Sequence, residues 1–407
     1  MKKNKALLAS FLLSAAVLAG CAGTETAKSE TTETQTAETQ MTETQAEEPE
    51  TEAAETEVKE PEASGERRQL ELLYADQFSV EYDEQGRAWI DVADGNRYVT
   101  VPEGAEVPED LEAEVTVIRQ PVEHAYLAAS SAMDLICGIG GLDQVTLSGQ
   151  EASGWQIEEA REAMEQGTLV YAGKYSAPDY EMLLEESCGL AIESTMIYRA
   201  PEVQEQLERL GIPVFTERSS YESHPLGRME WMKLYGVLLG LEDEAEQCFA
   251  RELEKLEPVM GQASTGKTAA FFYIGEGGYV NVRMPDDYIP KIISMAGGQY
   301  VPSDLDPDAG SSTMNMEMEA FYEAAKDADY LIYSGTIEGE LESLEQFLDK
   351  SSILKEFKAV QEGNVWCTGK KMFQETMGLG DLILDLNRMF TEEEPDPRQM
   401  VYLRHLQ

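Results

Sequence analysis

Residues 168–194 read TLVYAGKYSAPDYEMLLEESCGLAIES, and the order of those side chains decides the fold class. TLVYAG is a short apolar strand, APDYEMLLEES carries apolar residues at helical spacing, and GLAIES is a second short apolar strand. Strand, helix and strand in so few residues describe a crossover between parallel strands. Just downstream, PEVQEQLERLG (201–211) is an amphipathic helix and IPVFTE (212–217) another apolar strand. Upstream, HAYLAAS (124–130) and QVTLSG (144–149) read as strands, separated by helix-like SAMDLICGIGG and followed by a helix around Ile157–Gln166. Strands apolar throughout their length, alternating with amphipathic helices, predict a mostly parallel sheet covered on both faces.

A second series repeats this pattern at low resolution. It runs from AAFFYIG (269–275) and YVNVR (279–283) through helix DYIPKIISMAGG, helix MEMEAFYEAAKDA, strand DYLIYSG, helix ESLEQFLDKS and strand NVWCTG to a closing helix from about Gln374. Two helical stretches divide the series, HPLGRMEWMKLYGVLLG (224–240) and DEAEQCFARELEKLEPVM (243–260), separated at Gly240. In the second, Asp243 with Glu246 forms a capping-box pattern. Ala245, Phe249, Leu253, Leu256 and Met260 mark its apolar face. A helix of about 18 residues is roughly 27 Å long, enough to cross between two lobes, and its stiffness predicts limited opening.

Before residue 121 the pattern is different. QLELLYADQFSVEY and RAWIDVADGNRYVTV read as strands joined by polar turns, the second with its own turn at Asp94-Gly95-Asn96, and predict a small β-hairpin module. Residues 22–65 are almost entirely Thr, Glu, Ala and Gln, which cannot offset the entropy of ordering, and read as a flexible linker. Residues 1–20 combine a basic start, the apolar run ALLASFLLSAAVLAG and small residues before Cys21. That is an export signal, too short to span a membrane comfortably. Leu-Ala-Gly-Cys resembles the bacterial lipobox, which implies an acylated Cys21 and anchorage at the outer face of a membrane.

The expected division is therefore signal 1–20, linker 21–65, hairpin module 66–120, first lobe 121–241, connecting helix and connector 242–265, and second lobe 266–407. With 78 acidic and 31 basic residues the formal charge is −47, which argues against nucleic acid or anionic lipid as partners of the surface. Cys137, Cys188, Cys248 and Cys367 lie among apolar neighbours and read as buried free thiols.

This order of elements resembles the substrate-binding proteins of ABC importers, in the class with a helical backbone that serves ferric siderophores, haem and cobalamin. The resemblance covers roughly residues 120–395 and rests on residues 168–194, on PEVQEQLERLGIPVF and on DYIPKIISMAGGQYV. It implies an α/β fold of two Rossmann-like lobes joined by a long helix, a monomer that captures cargo between the lobes, and a permease as partner. It implies no cofactor; the ligand would be a metal chelate. Surface glutamates pair with permease arginines in that family, and Glu181 and Glu319 stand at the matching places, with Glu317 beside the latter.

Parallel sheets bind ligands beyond the carboxyl ends of their strands. The candidates there are Ser130, Ser131, Tyr175, Tyr198, Arg199, Glu222, His224 and Arg228 in the first lobe, and Tyr279, Asn281, Arg283, Lys370 and Phe373 in the second. Arginine forks and aromatic faces suit a bulky anionic or conjugated chelate. A bare transition metal fits poorly, because the only histidines are His124, His224 and His405.

Residues 261–268 match the phosphate-loop pattern G-x4-G-K-[ST], but a helix precedes them and a strand follows, the reverse of what phosphate binding needs. Ser219, Ser220 and His224 are close in sequence without forming a recognisable triad. The chain reads as no enzyme. A surface sensor or adhesin on the same two lobes, or an extracytoplasmic hydrolase, is the alternative reading.

Overall fold

The computed structural model describes residues 67–305 and 311–407. The expected export signal, the lipidated Cys21 and the acidic linker lie outside the described residues. No helix among the described residues is long and apolar enough to cross a membrane.

The chain begins with a five-stranded sheet, β1 (Arg68–Gln69), β2 (Phe78–Tyr82), β3 (Ala88–Val92), β4 (Arg97–Val101) and β5 (Val115–Arg119), in that spatial order. Gly95, at φ 92°, supplies the left-handed turn that joins β3 to β4, as its place in Asp94-Gly95-Asn96 predicts. The expected hairpins account for β2 to β4, whereas β5 returns parallel to β4. β4 is buried on both faces: Val99 and Val101 pack with Val115 on one side, and Tyr98 enters the main core on the other. A strand so enclosed must pair along both edges to satisfy its backbone, and β5 supplies the second edge.

The first lobe runs β6 (Ala125–Leu127), α1 (Ser130–Gly138), β7 (Val145–Ser148), α2 (Glu158–Gln166), β8 (Val170–Tyr171), the small hairpin β9 (Gly173–Lys174) and β10 (Ala177–Pro178), α3 (Tyr180–Glu185), β11 (Ala191–Ser194), α4 (Pro201–Arg209) and β12 (Val214–Glu217). Its sheet has the order β12-β11-β6-β7-β8, and every neighbouring pair is parallel.

Two helices follow, α5 (Pro225–Leu239) and α6 (Glu242–Leu256). Every residue of α5 except Arg228 is buried, and the helix touches α1 on one side and α6, α7 (Tyr288–Met295) and α11 (Leu379–Thr391) on the others. A helix enclosed on all sides needs no polar stripe, which is why apolar residues occur all round it, and its buried Glu230 and Lys233 pair with one another. Gly240, left-handed at φ 73°, ends α5 and lets α6 turn back along it. The expectation of a single rod over 243–260 is corrected: α6 has 15 residues, about 22 Å, and shares the space between the lobes with α5. The capping box is not formed either. Leu241 holds the N-cap position with no side-chain bond, so Asp243 falls in the first turn, where with Glu242 and Glu244 it meets the positive end of the helix dipole. Met260, beyond the end of the helix, is exposed, and Val259 is buried.

The second lobe comprises β13 (Thr268–Ile274), β14 (Val280–Arg283), α7, β15 (Gln299–Val301), β16 (Thr313–Met316), α8 (Met318–Ala325), β17 (Tyr330–Tyr333), α9 (Leu344–Leu348), α10 (Lys358–Glu362), β18 (Val365–Thr368), α11 and β19 (Leu403–His405). Its seven-stranded sheet is mixed: β13, β15, β17 and β18 run parallel, while β14, β16 and β19 pair antiparallel at the flanks. Residues 261–267 form the loop between α6 and β13, where Thr265 bonds the carbonyl of Gly297.

One hydrophobic core runs from Phe78 and Ile90 of the first sheet through α1, α5 and α6 to α7 and α11, while Phe272, Phe321 and Phe347 anchor a separate core in the second lobe. The described residues form one compact unit, in which the N-terminal sheet is built into the first lobe. Cys188, Cys248 and Cys367 are buried and Cys137 half-buried, and all four are free thiols.

Candidate functional site

A cavity of about 960 Å³ lies where the two sheets present their strand ends to one another. The first lobe contributes Ser131 at the start of α1, Thr195 and Arg199 from the 3-10 turn after β11, Tyr221 and Glu222 from the turn after β12, and Arg228 in the first turn of α5. The second lobe contributes Arg283 at the end of β14, Asp286, Asp287 and Tyr288 at the start of α7, Ser311 and Ser312, and Met372, Phe373, Thr376 and Leu379.

Three arginines, Arg199, Arg228 and Arg283, share this space with three acidic side chains, Glu222, Asp286 and Asp287, and with the rings of Tyr221 and Tyr288. The Arg228 guanidinium lies 4.0 Å from the centre of the Tyr288 ring and Arg283 lies 5.8 Å from it, so a cation of each lobe converges on one aromatic ring. Nε of Arg228 also donates to the Ser219 carbonyl at 3.2 Å, which fixes the fork in place. Asp287 is 3.8 Å from Arg283 and caps α7 by accepting from the Ile289 N–H. Burial raises the Asp287 carboxyl above its usual range, against the pull of Arg283. Phe373 and Tyr221 are exposed at the rim.

The far end of the cavity is crossed by residues 374–377, which bond directly to the first lobe. Gln374 donates to the Gly154 carbonyl and accepts from the Gln156 N–H, the Thr376 hydroxyl donates to the Ser131 carbonyl, and the Met377 N–H donates to Asp134. Asp134 is pushed up to about 7 by burial, aided by Glu375, Glu159 and Glu252.

Of the thirteen residues expected in the cleft, Ser131, Arg199, Glu222, Arg228, Arg283 and Phe373 line the cavity. The others do not, each for a local reason. Ser130 begins α1 beside the cavity without lining it, and Tyr175 forms the turn between β9 and β10. The Tyr198 hydroxyl is taken by the N-terminal sheet, donating to Asp94 at 2.6 Å and accepting from Asn96 at 2.8 Å. His224 is the N-cap of α5, its Nδ1 accepting from the Leu226 N–H, and its ring stacks on Tyr74. Tyr279 is exposed beyond β13, Asn281 bonds Asn315 across the β14–β16 pair, and Lys370 gives its backbone N–H to Glu340. Glu222 lines the cavity but is already engaged: its carboxylate accepts from the N–H groups of Asp76 and Gln77 and from the Trp231 indole.

Sequence reasoning missed Thr195, Tyr221, Tyr288 and Thr376. All sit in turns or first helical turns, where no periodicity marks the inward face. Glu181 and Glu319 are exposed, in the first turns of α3 and α8, with Glu317 exposed at the N-cap of α8. Among the described residues no group of three or more His, Cys, Asp or Glu side chains is arranged to hold a metal ion.

A family model described as periplasmic binding protein matches residues 133–372. An uncharacterised lipoprotein of Methanocaldococcus jannaschii is 26% identical over 244 residues, which cover 57% of this chain and 55% of that relative, so the match spans about half the relative's length. A second uncharacterised lipoprotein of the same organism is 22% identical over 305 residues, 72% of this chain and 75% of that one. Among solved structures, the periplasmic haem-binding protein HutB of Vibrio cholerae superposes with a TM-score of 0.51 at 19% identity, covering 66% of this chain and 98% of that one. The TroA-like periplasmic binding protein FepB of Veillonella parvula gives 0.53 at 12% identity, covering 71% and 96%. At these identities the structural likeness is one of fold.

Proposed function

Because the chain belongs to the periplasmic binding protein family, whose members bind solutes and are not enzymes, we propose that it captures an anionic metal chelate between its lobes and delivers it to the permease of an ABC importer. The observation that carries this reading is the convergence of Arg228 and Arg283 on Tyr288, with Arg199 lining the same cavity. The chain carries a formal charge of −47, so its overall field repels anions. The three arginines of the cavity offset that field locally against Glu222, Asp286 and Asp287, of which Glu222 is engaged by N–H donors and Asp287 sits beside Arg283. Their planar forks match carboxylate or catecholate oxygens while the tyrosine face takes a flat conjugated group. A siderophore, haem or a corrinoid has this chemistry, and one of the structural neighbours is a haem-binding protein. The volume of about 960 Å³ falls in the range of sites for such ligands.

Acylation at Cys21 would hold the receptor at the outer face of the membrane, and the lipoprotein relatives support that placement. Glu181 and Glu319 would register the permease, one carboxylate from each lobe steering and orienting it more than adding affinity.

Native mass spectrometry of protein purified from its own source tests the cargo: a co-purifying chelate is expected. Arg228→Ala and Arg283→Ala should each weaken its binding on the order of tenfold, the usual loss for a hydrogen bond to a charged group. Undiminished affinity in both variants rejects the cleft. Glu181→Arg combined with Glu319→Arg should abolish cellular uptake while leaving affinity unchanged. If uptake persists, the glutamates do not dock the permease. If the wild-type gene supports no uptake at all, the sensor reading replaces transport.

A further inference from the structure

The N-terminal sheet precedes the part of the chain that the family model matches, yet it touches the walls of the cavity at several points. The first contact is made by residues 74–77. Their N–H groups at Asp76 and Gln77 donate to the cavity residue Glu222, and the Tyr74 backbone lies so close to α5 that a β-carbon on Gly227 would meet the Tyr74 carbonyl oxygen at 2.9 Å. Gly227 immediately precedes Arg228, so the first turn of α5 is seated against this segment.

The second contact is the Asp94-Gly95-Asn96 turn. One Asp94 oxygen accepts from the Tyr198 hydroxyl at 2.6 Å and lies 3.6 Å from the Arg218 guanidinium, with both charged side chains largely shielded from water. The other oxygen accepts from the Asn96 N–H and holds the turn itself. Arg218 in turn lies over the ring of Tyr221, 4.1 Å from its centre, and the Tyr221 hydroxyl reaches Thr195 at 3.4 Å. Tyr221 and Thr195 both line the cavity. Half-exposed Tyr221 has little else to hold it, so its position follows from the cation beneath it, and that cation's position follows from Asp94.

We propose that Asp94 of the N-terminal sheet is a positioning residue for the ligand cavity, acting through Arg218 on Tyr221 and through Tyr198 on the Thr195–Arg199 turn. The sheet is then part of the binding site, and a family member lacking it would present a different first wall to its cargo. That this wall meets a ligand rests on the reading under Proposed function; that Asp94 orders it does not.

The test keeps the two separate. Hydrogen exchange of the ligand-free full chain is compared between wild type, Asp94→Ala and Asp94→Asn, the second variant standing in if the first does not fold. Amides of 195–199 and 218–222 should exchange roughly fivefold faster, the factor set by one net hydrogen bond. Those of α7 in the second lobe should be unchanged. Equal protection at both wall turns overturns the proposal, and so does acceleration spread evenly through the chain. In a second arm haemin is the probe, titrated by its absorbance. Asp94→Ala should weaken haemin several-fold in the wild-type background and by less in a Tyr221→Ala background, where only the route through Tyr198 remains, whereas fully additive losses overturn the route through Tyr221. If wild type binds no haemin, the failure belongs to the cargo reading, and the exchange result alone decides the role of Asp94.

Discussion

Two carboxylates are fully buried on opposite sides of the first lobe, and they are treated in opposite ways. Where the N-terminal sheet meets α5, Glu230 accepts from the consecutive N–H groups of Leu73, Tyr74 and Ala75 at 2.8–3.0 Å and pairs with Lys233 at 3.2 Å. Lys233 is itself satisfied by the Glu71 carbonyl and by Glu246. Beneath α3, on β11, Glu193 is equally inaccessible, yet neither of its oxygens has a hydrogen-bond partner among the described residues. Burial alone pushes its carboxyl up to about 8. A buried charge is tolerated only when donors surround it, and otherwise the group takes up a proton. Glu230 is therefore a charged clasp that binds one segment of chain to another, and Glu193 a neutral side chain that fills space.

The largest effect that could break this contrast is expected at Glu230. Glu230→Ala leaves three N–H groups buried without their acceptor and takes from buried Lys233 one of its two carboxylate partners, which should destabilise the protein by about 3–5 kcal/mol. Glu230→Gln, which keeps one acceptor oxygen, should fall between it and wild type. Urea unfolding measures both, and a loss below about 1 kcal/mol for the alanine variant would mean that the N-terminal sheet is held by other contacts.

Much of the architecture was legible because it is local. Strand–helix alternation over residues 122–217 becomes β6 to β12, and the 261–268 stretch lies after a helix and before a strand, as its surroundings in the sequence read. The clasp was not legible. Leu73 and Glu230 are 157 residues apart, and no pattern in the sequence around either announces the other. A glutamate in a helix usually marks a solvated face, although Met229, Trp231 and Met232 beside Glu230 leave α5 without such a face. The same reason separates the cleft residues. Arg228 and Arg283 follow strand ends and were found there, whereas Tyr198 and His224 occupy similar places but spend their polar atoms on the N-terminal sheet and on the start of α5. Strands β15, β16 and β19 are short and paired by tertiary contacts, so their composition gave no warning.

Glu193 supplies the next prediction, through pH. Its folded value of about 8 lies above the usual glutamate value of 4.5, so between these limits the folded protein holds a proton that the unfolded chain has released. Stability from this group is full below pH 4.5 and is lost as pH rises through 8, with a slope of about 1.4 kcal/mol per pH unit within the window. Asp134, raised to about 7, adds a loss of the same sign between its usual 3.8 and 7. The groups interacting with Glu193 are Tyr126 on β6 and Tyr180 at the start of α3, both of which burial holds protonated over this range. Glu193→Gln should flatten the profile between pH 6 and 8 by close to one proton. An unaltered slope in that variant would show that the carboxylate is satisfied and that the contrast with Glu230 does not exist.

The smallest effect is expected at Gly227, and there its sign is the informative part. In the interior of an ordinary exposed helix, Gly→Ala gains about 1 kcal/mol by restricting the unfolded chain and shielding the backbone. In α5 the added methyl meets the Tyr74 carbonyl oxygen at 2.9 Å and a Glu222 oxygen at 3.1 Å. Neither can retreat freely: Glu222 is bonded to Asp76, Gln77 and Trp231, and the Tyr74 peptide is held by Glu230 on one side. Overpacking of this kind costs about 1–3 kcal/mol, so it should outweigh the helical gain and leave Gly227→Ala about 1 kcal/mol less stable than wild type. A variant more stable than wild type in urea would mean that the seam between the sheet and α5 has room to open, and that the clasp at Glu230 holds the chain from one end only.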